Sequence, residues 1–275
     1  MEIEIPHAGL PEASSPVAVL GVVAAILAIG LCVWAVTVLA GRIARGEPVV
    51  LPRPSPPVAW QGIDVAWIAV LVVCLQAAAG AVAGPRPAPI GRQLVAGMLA
   101  MAAAVVVGSL HLLRRGASWR SLGFAPAPGG EDLRLALAAL ALVLAPLLGL
   151  AGLLDRIVPY RHPIIDFLSA HRDWRSVAIV AVSAVVVAPV AEEFLFRRVL
   201  QGWLEKAAGG AAAIAVSSLA FGLAHLGHGL AWLPLVLFGA VLGFLARQTG
   251  SILPGILLHG LFNAVSVAIV LLQGG

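Results

Sequence analysis

Apolar residues run along this chain in long unbroken stretches separated by short polar ones, with neither the alternation of a half-buried strand nor the one-sided stripe of a soluble helix. Eight such stretches stand out, at about Val17–Ala40, Val65–Ala83, Gln93–Leu113, Leu135–Leu154, Ser176–Leu204, Ala211–Leu230, Trp232–Arg247 and Ile252–Leu272. A helix crossing a ~30 Å hydrocarbon core needs about 20 apolar residues, so each stretch predicts a membrane-spanning helix. Turn-forming residues punctuate them: Pro52, Pro54, Pro56 and Pro57 in the first loop, Pro85, Pro87 and Pro89 in the second, Pro126 to Gly130 in the third. The fold class predicted is all-α, a polytopic transmembrane bundle of about eight spans with no internal repeat.

Composition agrees. Of 275 residues, 61% are hydrophobic and 11% charged, against about 25% charged in soluble domains. Disorder, a disulfide scaffold and an outer-membrane barrel are excluded by the same pattern. Cys32 and Cys74 each lie inside an apolar run, where a thiol behaves as a small hydrophobe. A short polar segment, 1–16, holds Glu2, Glu4 and Glu12 but no Lys or Arg, the wrong start for a cleaved signal peptide, so the first span is expected to be retained. It precedes spans without motifs (17–154) and a C-terminal core (155–275) that carries the chemistry described below.

The net charge is +4, and the basic residues lie between the apolar runs, as suits a membrane surface and not a nucleic acid. Arg42, Arg45, Arg53, Arg114, Arg115, Arg120, Arg134, Arg197, Arg198, Lys206 and Arg247 flank the odd-numbered loops. They outnumber Arg86, Arg92, Arg156, Arg161, Arg172 and Arg175 on the other side. The positive-inside rule then puts the odd loops in the cytoplasm and both termini outside. The expected location is the plasma membrane, and the Ala/Arg/Gly-rich composition fits a high-GC bacterium.

Most acidic residues lie in termini, loops or span edges, whereas Glu192 and Glu193 interrupt an apolar run. A carboxylate in hydrocarbon costs several kcal/mol unless paired, hydrated or protonated, so this pair is a candidate site. The alternative is that both sit at the interface beside Arg197 and Arg198. Glu193 and Arg197 are four apart in the favourable direction for an ion pair, while Glu192 points about 100° away and is left for chemistry. Pro189, three residues upstream, removes an amide donor and predicts a kink that could open a wet cavity. His225, His228 and His259 are expected within helices. Phe221 and His225 share a helical face at spacing four, as do His259 and Asn263. Each histidine alone could merely pack helices, and His228, beside Gly227 and Gly229, suits an interfacial position. By helical rise, Glu192, His225 and His259 lie at about 18, 21 and 11 Å from the odd-loop side and converge only roughly.

Together, Glu192-Glu193-Phe194-Leu195-Phe196-Arg197 as EExxxR, Phe221-Gly222-Leu223-Ala224-His225 as FxxxH, and His259-Gly260-Leu261-Phe262-Asn263 as HxxxN resemble the CPBP family of intramembrane proteases. That family includes CAAX prenyl endopeptidases and bacteriocin-processing or immunity proteins. The resemblance implies hydrolysis of a peptide or membrane-protein segment by water activated by Glu192 with help from His225. His259 and Asn263 would stabilise the oxyanion, with Glu193, Arg197 and Phe221 as structural support. No cofactor is required on this reading. The alternative, a Zn²⁺ ion on Glu192, His225 and His259, gains nothing from Asn263 and lacks an HExxH sequence. A non-enzymatic scaffold or immunity protein on the same fold, and a transporter with a proton relay, are the competing classes. Prenylated substrates are not expected in a bacterium.

Overall fold

A computed structural model describes residues 16–84, 89–160 and 163–273. The polar N-terminal segment, Pro85, Pro87 and Arg86 of the second loop, Arg161 and His162 lie outside the described residues, apart from Pro16, which opens the first helix. The chain is all-helical, with no strand among the described residues: α1 (Pro16–Ala44), α2 (Gly62–Ala83), α3 (Ile90–Arg114), α4 (Glu131–Ile157), the short α5 (Pro163–Ala170), α6 (Trp174–Ala208), α7 (Gly210–Leu223), α8 (Trp232–Thr249) and α9 (Leu253–Gln273). Seven of these are long and apolar enough to cross a membrane. The eighth expected span, α7, stops at Leu223 instead of Leu230 and has 14 residues. At 1.5 Å per residue it is about 21 Å long, too short for the full hydrocarbon core.

The rod α6 organises the rest. On one side Phe194 and Val199 join Trp60, Ile68, Leu112, Leu122 and Ile252 in a cluster shared with α2, α3 and the loops. On the other, Phe196 packs against the cluster of Phe221, Phe238, Leu242, Leu245 and Leu258 with the Ala136/Ala139 face of α4. α7 folds back from α6 through Gly209, whose φ of 82° opens a turn that L residues with side chains rarely adopt. α1 packs on α4 and shows the membrane a face in which Ile26 and Leu27 are exposed.

Two loops on the odd-numbered side fold over the bundle rather than trailing into solvent. The segment 45–61 is tied down where Arg53 N–H donates to Gln248 O (2.8 Å) and Trp60 Nε1 donates to Val199 O (3.0 Å), with Trp60 fully buried. The segment 115–130 reaches the turn between α8 and α9, where Gly123 O accepts from Ile252 N and from Ser251 Oγ, both at 3.0 Å. That turn is therefore buried, with Ser251 3% and Ile252 1% exposed. Arg198, which the sequence offered as an interfacial neighbour of the glutamates, is buried beneath the same loops, and Gln201 is buried beside it on α6. The charged head of Arg198 is accepted by the carbonyls of Ser121 and Pro56 (3.2 Å to the latter) and lies over the Trp60 ring at 5.4 Å. Gln201 donates to Gly243 O at 2.9 Å and accepts from Ser217 Oγ at 3.1 Å.

Candidate active site

α6 is helical throughout but not uniformly α: Val182–Val187 and Glu193–Leu200 form π turns on either side of Ala188–Glu192. The disturbance expected at Pro189 takes this form. In the first π turn, Ala188 N–H donates to Ser183 O, five residues back. The next donor in that register belongs to Pro189, which has none, so Ala184 O is left without a backbone partner. Asn263 on α9 supplies it, its Nδ2 donating to Ala184 O at 2.8 Å. One turn earlier on α9, Gly260 sits against the carbonyl of Val185, so closely that a Cβ there would lie 2.7 Å from the oxygen. Proline, glycine and asparagine together dock α9 onto α6.

That docking brings His259 between the two glutamates. Its Nδ1 lies 3.3 Å from Oε1 of Glu193, and its Nε2 lies 3.8 Å from Oε2 of Glu192. A carboxylate only accepts, so Nδ1 carries a proton and Nε2 is the nitrogen that faces Glu192. Phe221 and Phe238 close on the ring edge-on, at centroid distances of 5.8 and 5.4 Å. Glu192 and His259, whose approach helical rise alone left rough, are thereby brought together.

The two acids are not equivalent. Glu193 is fully buried, its Oε2 3.4 Å from Nε of Arg197. Arg197 is fully buried as well; its guanidinium nitrogens make no hydrogen bond among the described residues, and it sits 4.5 Å over the Phe221 ring. An ion pair combined with a cation–π contact keeps this cation inside the bundle. Glu193 and Arg197 lie within the protein, paired as their spacing of four suggested. Glu192 keeps 18% of its side chain exposed and faces the same imidazole.

His225 differs from expectation in setting. It lies not within a helix but in the turn after α7, where its Nδ1 donates to Phe221 O at 2.9 Å, leaving Nε2 as the acceptor nitrogen. The Phe221 ring tilts against it at 5.2 Å, as the spacing of four suggested. His228 follows in the same turn, 5.7 Å from His225 and stacked at 5.8 Å on Tyr160 of the fourth loop. Burial first, then the neighbouring His225, hold the His228 imidazole below the ordinary histidine range.

Zn²⁺ ligation would need Glu192, His225 and His259 around one point. Among the described residues no three His, Cys, Asp or Glu side chains are grouped to hold a metal ion.

Sequence reasoning singled out neither Asp64 nor His111. Asp64, 3% exposed, is 2.8 Å from Nε2 of His111 and 3.0 Å from Nε of Arg115, and closes a capping box with Gln61 at the start of α2. The signal was available in the pairing of a helix N-terminal acid with basic residues ending the next helix.

Fold and site define a multi-pass helical membrane protein with a cluster of ionisable side chains inside its bundle. Residues 174–265, about a third of the chain, match the family model of type II CAAX prenyl endopeptidase Rce1-like proteins, a match that supports a CPBP-family intramembrane protease. The matched stretch begins at the first residue of α6, ends just beyond Asn263, and contains all three motifs. No curated protein and no solved structure matches the chain.

Proposed function

We propose that this protein is an intramembrane endopeptidase that hydrolyses a peptide bond of a membrane-associated protein or peptide, with Glu192 as the general base. The observation that carries this reading is the inequality of the two acids. Glu193 is consumed by Arg197 and His259, whereas Glu192 is partly exposed and has, among the described residues, only the imidazole of His259 within 4 Å as an ionic partner.

In this mechanism Glu192 takes a proton from water as the oxygen attacks the scissile carbonyl carbon. The carbonyl oxygen becomes an oxyanion that accepts from the Nε2–H of His259 in its imidazolium form, its Nδ1–H staying on Glu193, and from the second N–H of Asn263, the first being donated to Ala184 O. Collapse breaks the C–N bond, and the proton held by Glu192 passes to the departing amine. His225 offers Nε2 to orient the water. Glu193 and Arg197 position His259 and Phe221, and none of these steps calls for a metal. The protein works in the plasma membrane of a bacterium, with the odd-numbered loops in the cytoplasm.

The test is peptide-library cleavage by reconstituted wild type and Glu192→Gln, read by mass spectrometry with and without chelator. Loss of roughly 10²–10⁴-fold in rate in the variant, unaffected by chelator, is the expected result. Equal cleavage by both would remove Glu192 from the chemistry. One observation favours a second reading, a non-enzymatic scaffold: the Asn263–Ala184 bond is a structural use of a residue assigned to the oxyanion. On that reading Glu192→Gln is silent.

A further inference from the structure

Away from the site, the end of α3 and the turn that follows it present a cationic, aromatic surface on a rigid base. The turn is locked by Ser118 and Ser121: Ser118 N–H donates to Ser121 Oγ (2.7 Å), Ser121 N–H to Ser118 Oγ (3.1 Å) and Leu122 N–H to Ser118 O (2.9 Å). Ser121 and Leu122 point inward and are buried at 4% and 0%. The residues between, Trp119 and Arg120, project outward, Trp119 with 61% exposure. Arg114 and Arg115 stand beside them at the helix end, exposed. Arg115 is paired with Asp64, but Arg114 and Arg120 have no side-chain partner among the described residues. Trp67, 41% exposed and stacked at 4.3 Å on His111, extends the aromatic rim onto α2.

Here the backbone bonds hold an indole outward beside two unpaired guanidinium groups, at the level where a span ends. Indole rings favour the headgroup level of a bilayer, and guanidinium groups grip phosphate oxygens in a bidentate fork. We propose that Arg114, Arg120 and Trp119 form a binding site for the phosphate headgroup of an anionic phospholipid. The inner side of the same turn is held by Arg198 of α6 through Ser121 O and by the α8–α9 turn through Gly123 O. The headgroup therefore fastens the outer side of the cap whose inner side bonds the rod that carries Glu192 and Glu193.

The proposal does not rest on the peptidase reading, and its test does not use cleavage. Wild type and Trp119→Phe are reconstituted into vesicles of phosphatidylcholine containing either brominated phosphatidylcholine or brominated phosphatidylglycerol. The difference between the two proteins isolates the fluorescence of Trp119 from that of the other tryptophans. Quenching by brominated phosphatidylglycerol should exceed that by brominated phosphatidylcholine severalfold. The preference should fall with ionic strength and disappear in Arg114→Gln/Arg120→Gln, with Arg120→Gln alone intermediate. Equal quenching by both lipids, or a preference that survives the double substitution, would reduce Trp119 to an ordinary interfacial anchor and overturn the proposal. Loss of the preference on adding inorganic phosphate, at constant ionic strength, would overturn the lipid as the source of the phosphate.

Discussion

The side-chain amide of Asn263 donates to the carbonyl oxygen of Ala184 at 2.8 Å, joining α9 to α6 at the one backbone acceptor that Pro189 leaves without a donor in its π register. Asn263→Ala leaves this oxygen unsatisfied between two helices, a loss of about 1–3 kcal/mol. Thermal unfolding in detergent should show a lower midpoint. Adding Pro189→Ala returns an N–H to the helix and should recover much of that stability. If Asn263 also serves the oxyanion, activity stays low in the double variant; recovery of activity along with stability would make the residue a helix latch alone.

Glu193 acts through its neighbours. Glu193→Gln leaves Arg197 as a fully buried cation with no counter-ion, for which about 3–5 kcal/mol of destabilisation is expected. Glu193→Gln/Arg197→Met removes the unpaired charge and should restore the folded yield. It cannot restore the carboxylate that fixes the His259 ring, so ¹⁵N chemical shifts of His259 should report a changed tautomer balance and cleavage should remain impaired. Unchanged shifts would show that Glu193 serves Arg197 and not the imidazole.

How much of this was legible in the sequence depends on which force set each feature. The spans were legible because hydrocarbon demands continuous apolar runs, and seven appear as helices long enough to cross. Glu192, Glu193 and His259 were each legible as candidates because ionisable residues in such runs need partners, but the contact of Glu193 with His259 was not, since the sequence paired Glu193 only with Arg197. The end of α7 was not legible either, because Leu226 and Leu230 carry the apolar run past Leu223 despite the two histidines and two glycines among them. A polar backbone there is accommodated by the turn of His225 and His228 instead of by lipid. Nor were the burial of Arg198 and the sinking of the α8–α9 turn. Both follow from backbone carbonyls of distant loops, Ser121, Pro56 and Gly123, and carbonyls carry no sequence signature.

Arg198 makes its own prediction. It is the buried cation through which α6 holds both covering loops, by the carbonyls of Ser121 and Pro56. Hydrogen bonds to a charged group contribute about 1.5–3 kcal/mol. Arg198→Ala should therefore loosen segments 45–61 and 115–130 before the bundle itself melts, seen as faster limited proteolysis within those segments. Arg198→Lys should not rescue, since a single ammonium cannot reproduce a fork directed at two carbonyls. Proteolysis as slow as in wild type would mean that Trp60 and Arg53 hold the loops unaided.

The turn of His225 and His228 gives the protein a dependence on acid. Burial and the nearby His225 lower the affinity of His228 for a proton in the folded state, while in the unfolded chain the imidazole titrates near its ordinary value of about 6.5. Below that value the unfolded state binds more protons than the folded one, so stability falls as the pH falls. Above it both states are neutral at this residue and the contribution is constant. Melting curves in detergent should thus show a midpoint that is flat above neutrality and declines as the pH is lowered from about 6.5. His228→Phe keeps a ring against Tyr160 and cannot be protonated, so its midpoint should decline less over the same interval. An identical decline in the variant would assign the acid sensitivity to other groups and leave His228 with packing alone.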